Sequence, residues 1–183
     1  MTDAELISRA AGGDRAAFEA LYDLHWKAVY SYAWLLTRSI ADAEDVTQEC
    51  FLALIRKPEA FDPASAQLRT WLIAVVRRQC FSRYRSASRE QGSADTEPVQ
   101  NAGFDEDLIR LERADAVHLA MSALPQAQRE ALYLFEFEGL SLAETGDVLN
   151  IDANAVKARL YRAREQLKQS LAPLRAGTKG RRP

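Results

Sequence analysis

Six arginines and no acid stand between Arg69 and Arg89, and nine Lys or Arg face a single acid, Glu165, from Ala153 to the end of the chain. Cations clustered in this way suit contact with a polyanion, because each one that meets a phosphate releases a condensed counterion. The acids sit elsewhere, notably Asp42, Glu44, Asp45 and Glu49, and again between Glu90 and Asp115. The formal net charge of −2 therefore hides two basic stretches and an acidic remainder that suits a different partner. Residues capable of covalent chemistry show no such grouping. His25 and His118 have no Cys, Ser or carboxylate at motif spacing, and no Gly-rich phosphate loop occurs. Cys50 and Cys80 stand far apart and outside any Cys-x-x-Cys or Cys/His cluster, which predicts free thiols in the core and no zinc site. The expected chemistry is binding, with no catalytic residue, metal or cofactor.

The elements that must position these charges are helices. Of the 183 residues, 48% are hydrophobic and 27% charged, with 8 Gly and 6 Pro, a composition of ordered rather than disordered chains. No run approaches the roughly 20 apolar residues that cross a bilayer, and the first residues lack the basic-then-apolar order of a secretion signal, so a cytoplasmic location is expected. Phe18, Leu21, Tyr22, Val29, Ala33 and Leu36 recur at helical steps, predicting a helix from Asp14, its cap, to about Leu36. A second helix is expected over Asp42–Lys57, with Pro58 as its stop, and a third from about Ala66 to Tyr84 carrying Trp71, Leu72, Ile73, Val75, Val76 and Phe81. Ser, Gly, Gln, Asp and Pro98 then dominate from Ser86 to Gly103 and mark a flexible linker. Helices are expected again over Asp105–Ser122 and Gln126–Glu138, with Pro125 before the latter and Gly139 after it. No segment alternates at period two. The expected fold is all-α, with helical domains over 1–85 and 105–175, a linker over 86–104, and a disordered basic tail over 176–183.

Near the C-terminus the signals sharpen. Ser141 and Glu144 have the spacing of a capping box, opening a helix at Leu142 that must stop at Asn150. Asp152 can then cap a longer helix to about Leu171. Gly146 would let the second helix cross close to the first, so the pair reads as a helix-turn-helix. On a wheel of about 100° per residue, Val156, Leu160, Ala163 and Leu167 share the face that must be buried. Asn154, Lys157, Ala158, Tyr161 and Arg162 lie opposite, where long cations can bond guanine acceptors and apolar groups can touch thymine methyls. Arg159, Arg164 and Lys168 flank that face and suit phosphates, which set register without reading sequence.

Taken together, these stretches resemble the extracytoplasmic-function sigma factors, over nearly the whole of Ala17 to Leu171. Asp42-Ala43-Glu44-Asp45-Val46-Thr47-Gln48-Glu49-Cys50-Phe51-Leu52 is similar to the family's region 2.2, which implies that Asp45, Gln48 and Glu49 meet the clamp helices of the polymerase β′ subunit. Arg69-Thr70-Trp71-Leu72 and the basic helix to Arg85 resemble regions 2.3 and 2.4, which implies that Arg69, Arg77, Arg78 and Arg83 grip and melt the minus-ten element, with Trp71 read as a core residue. Leu124-Pro125, Gln128-Arg129-Glu130 and the helix-turn-helix resemble region 4, which reads the minus-thirty-five element and meets the β flap. The family's base-reading positions fall on Lys157, Ala158, Tyr161 and Arg162, the face that the wheel selects without it. The resemblance also implies a linker threaded through the polymerase, with Asp95 and Glu97 suited to a basic channel, and an anti-sigma partner. Arg78 stands where the family commonly has Asn, and Ser82 where Asp or Asn is common, which leaves the minus-ten preference open. Thr145-Gly146 replaces the usual aliphatic-then-Ala pair and implies a less stable turn. Two other readings stay open from the residues alone: a regulator using the helix-turn-helix by itself, and an all-α adaptor that holds a helical protein without touching DNA.

Overall fold

The computed structural model describes residues 1–90, 117 and 119–172, which contain helices and turns and no strand. They belong to two compact units divided between Gln100 and Asn101. None of the described helices is long and apolar enough to cross a membrane.

The first unit is built around α2 (Arg15–Thr37), against which α1 (Asp3–Ala11), α3 (Ile40–Arg56) and α4 (Leu68–Glu90) pack. Asp14 caps α2 as expected, accepting the Ala17 N–H at 3.1 Å. The helix α1 has no counterpart in the sequence reading. Its signal is local: Thr2 and Glu5 form a reciprocal capping box, which satisfies donors that the first turn leaves open. The next helix starts before Asp42, because Ser39 is its cap and accepts the Asp42 N–H at 3.3 Å. Pro58 ends that helix region by opening a 3-10 turn, Pro58–Ala60. Helix α4 continues past Tyr84 to Glu90, so 86–90 of the expected linker are helical, while 91–104 lie outside the described residues.

The apolar residues of α2 divide between two faces. Leu21, Val29 and Ala33 are fully buried, with Tyr32, against Val46, Cys50 and Leu54 of α3 and Leu72, Ile73 and Val76 of α4. Each Val, Leu or Ile buried so completely contributes about 1.5–3 kcal/mol relative to exposure. Phe18 and Tyr22 are only half-buried, on a different face. Trp71 is also half-buried, with its ring edge-on to buried Phe61 at 5.8 Å. Neither Cys50, which is buried, nor Cys80, which is half-buried, forms a disulfide.

In the second unit, residues 119–122 are helical, the described end of the helix expected over 105–122. After Pro125 comes α5 (Gln126–Leu132), which runs into a π turn, Tyr133–Phe137, and ends at Gly139 with φ 69°. Ser141 and Glu144 form the expected capping box at α6 (Leu142–Leu149). Asn150 then takes the left-handed conformation, φ 55°, and Asp152 caps α7 (Ala153–Ser170) by accepting the Ala155 N–H at 2.8 Å. Leu124, Leu132, Leu134, Leu149, Val156 and Leu160 supply the core. Leu167, expected inside, is half-buried. Gly146 is needed for a reason other than the expected helix crossing. A Cβ there would lie 2.6 Å from the Ile151 carbonyl oxygen, so the close neighbour is the backbone of the turn itself. His118 and the tail over 176–183 lie outside the described residues.

Candidate nucleic-acid and partner interfaces

The buried Val156, Leu160 and Ala163 orient α7, so residues on its other side must face solvent. Lys157, Tyr161 and Arg162 are exposed, Tyr161 by 68%, and Ala158 beside them is half-buried. An exposed tyrosine between two long cations gives this face stacking, hydrogen-bonding and charge at once. The flanking cations differ among themselves. Arg159 is half-buried. Arg164 donates to Glu136 of the π turn at 2.5 Å and lies over the Phe135 ring at 5.8 Å. Lys168 approaches Glu165 at 3.7 Å, one turn earlier on the same helix. Such exposed pairs exchange readily for a phosphate, since each is worth about 0–1 kcal/mol.

The turn that aims α7 is held at its start by Glu144, whose carboxyl lies below the usual carboxylate range because the Ser141 N–H donates to it at 2.9 Å. That contact keeps the capping carboxylate charged at the N-terminus of α6, where the helix dipole favours it.

On α4 of the first unit the four expected DNA-contacting arginines have different settings. Arg78 and Arg83 are exposed, whereas Arg69 and Arg77 are half-buried, and the Arg77 guanidinium stacks over Phe81 at 4.6 Å. Arg83 donates from Nη2 to Glu49 Oε2 on α3 at 2.7 Å.

Asp45, Gln48 and Glu49 are all exposed on α3, but they do not share one surface. Asp45 and Gln48, with Glu44 and Leu52, form one wall of a groove of about 880 Å³. The other wall is a stripe that the sequence reading missed, Phe18, Tyr22, Trp26 and Tyr30 of α2, whose successive rings lie 6.2, 6.4 and 6.3 Å apart. Its signal was present as four aromatic residues at three consecutive four-residue steps. The buried Thr47 hydroxyl lines the floor without a hydrogen-bond partner. Glu49 stands apart from this groove and meets α4 through Arg83. No local pattern could have foretold that contact, since 34 residues separate the two.

His25 and Cys50 have structural settings. His25 reaches Asp3 at 3.3 Å and ties α1 to α2. The buried Cys50 thiol, which approaches the Leu72 carbonyl at 3.6 Å, is pushed up to about 12 by burial, so it stays protonated and unreactive near neutrality.

Known proteins resemble this chain in both of its units. The family description of sigma-70 region 2 matches residues 21–90, and that of sigma-70 region 4 matches residues 114–167. The ECF RNA polymerase sigma factor SigM of Mycobacterium tuberculosis is 33% identical over 182 residues, covering 99% of this chain and 90% of the relative. SigW of Bacillus subtilis is 27% identical, covering 92% and 96%. Among solved structures, the sigma factor RpoE of Bartonella quintana, in complex with the anti-sigma factor NepR, has a TM-score of 0.68 at 25% identity, covering 85% of this chain and 96% of that one. CnrH in complex with the cytosolic domain of CnrY has a TM-score of 0.64 at 26% identity, covering 93% and 97%. With one third of its residues shared over nearly its full length, and both sigma regions matched in order, this chain belongs to the ECF family of RNA polymerase sigma factors.

Proposed function

We propose that the chain carries core RNA polymerase to promoters by dividing the work among three surfaces. The groove between α2 and α3, rimmed by Asp45 and Gln48, receives the β′ clamp helices, with Glu49 adding a polymerase contact from outside the groove on α3. Arg69, Arg77, Arg78 and Arg83 of α4 hold the minus-ten element during melting. Lys157, Ala158, Tyr161 and Arg162 of α7 read the minus-thirty-five element in the major groove, with Arg159, Arg164 and Lys168 on phosphates and the second unit against the β flap. The protein acts by binding and catalyses no reaction of its own. It works in the cytoplasm, where its partners are polymerase, promoter DNA and an anti-sigma protein; the complexes of RpoE with NepR and of CnrH with CnrY support the last of these.

The observation that carries this reading is the groove. Four aromatic rings in a row, faced by Glu44, Asp45 and Gln48, offer an apolar wall opposite an acidic one. That combination suits an amphipathic partner helix with basic flanks. A regulator using the helix-turn-helix alone leaves it without a role, and the region 2 match over 21–90 accounts for the unit that bears it.

The experiment is chromatography of the full chain with core polymerase. The wild-type chain is expected to co-elute, and Asp45→Asn to weaken the complex by at least about 1 kcal/mol. A chain that elutes apart from polymerase at micromolar concentration would overturn the reading.

A further inference from the structure

Helices α3 and α4 pack together in the first unit, and one ion pair joins their outer faces. Asp45 and Gln48 line the aromatic groove, whereas the Glu49 carboxylate turns to α4 and accepts from Arg83 at 2.7 Å. The side chains are 53% and 43% exposed, so either can take another partner without any element unfolding. We propose that Glu49 and Arg83 form an exchange pair that couples polymerase docking to promoter binding. This rests on the reading above, in which Glu49 contacts polymerase from outside the groove and Arg83 belongs to the promoter surface, and it adds a link between the two.

The link follows from charge and geometry. In the free chain each charge is the other's partner. A phosphate approaching Arg83 must displace Glu49 and then sit beside its carboxylate, and a cation approaching Glu49 must displace Arg83. Once a polymerase cation has taken Glu49, the carboxylate is neutralised and the guanidinium is released to DNA. Each binding event thus removes an obstacle to the other, and linkage requires the effect to be reciprocal. An ion pair as exposed as this one biases each equilibrium by up to about fivefold. That is enough to disfavour promoter contact by the isolated chain and small enough for polymerase to overcome.

Three full-length variants test the exchange, with retained helical circular dichroism as the check on folding. Arg83→Gln releases Glu49 and is expected to tighten binding to core polymerase by about two- to fivefold. Arg85→Gln removes the same charge two residues along α4, from a side chain without that pairing, and is expected to change the affinity by less than about twofold. Glu49→Gln is expected to raise the affinity of the free chain for a short fluorescein-labelled single-stranded oligonucleotide by about two- to fivefold at low salt, a gain absent when saturating polymerase is bound. Unchanged or weaker polymerase binding by Arg83→Gln, an equal gain from Arg85→Gln, or a Glu49→Gln effect of the same size with and without polymerase would each overturn the exchange. A wild-type chain that binds no polymerase would instead overturn the function on which it rests.

Discussion

Tyr161 stands 68% exposed between Lys157 and Arg162, with the buried Val156, Leu160 and Ala163 behind it, so this face of α7 cannot be turned inward without losing the core of its unit. Arg162 is the cation there best suited to two acceptors on one base, because a guanidinium presents its donors as a fixed fork. Arg162→Ala is expected to weaken recognition of the upstream element by about 1–3 kcal/mol, with polymerase binding intact. Competition between a cognate fragment and one altered at single positions checks this, and an equal loss on every sequence would contradict base reading. These residues were legible in the sequence, because one helical period and its buried stripe decide which side chains remain outside. Glu49 and Arg83 were each legible as charges on the correct helices. Their mutual contact was not, since it depends on how α3 and α4 pack and no spacing along the chain encodes that.

At the scale of elements, capping and turn residues did most to make the helices readable. Asp14, Ser141, Asn150 and Asp152 stand where the helices start and stop, because each satisfies backbone groups or a backbone angle that few other residues can. The first helix is only nine residues long and escaped notice, although Leu6, Ile7 and Ala10 share its buried face and the Thr2–Glu5 box was available. The aromatic stripe of α2 escaped for another reason: Phe18 and Tyr22 fit the core pattern by spacing, and only packing shows that Leu21 and Val29 are inside while those rings line a groove. Gly146 illustrates a position read correctly for a different reason. In an open helix interior, Gly→Ala stabilises by about 1 kcal/mol. Here the added methyl would meet the Ile151 carbonyl at 2.6 Å, so Gly146→Ala is expected to destabilise the helix-turn-helix by about 1–3 kcal/mol. Thermal unfolding of the full chain checks the sign, and a raised midpoint for that unit would show that the turn adapts without strain.

At the scale of the whole molecule, the charge segregation seen in the sequence is carried by separate helices. The chain is nearly neutral, yet α4 presents arginines and α7 arginines and lysines, while α3 presents acids beside an aromatic groove. Two cationic helices in separate units suit contacts with two stretches of one DNA, and the acid-rimmed groove suits a protein. The matches to sigma-70 regions 2 and 4 cover the same stretches. The central claim is that these surfaces act together to start transcription, and reconstitution with core polymerase on genomic promoter fragments tests it most directly. Discrete transcripts are expected only when this chain is added, and they are expected to disappear with Asp45→Asn. Silence on every fragment, with the same polymerase active under another sigma factor, would contradict it.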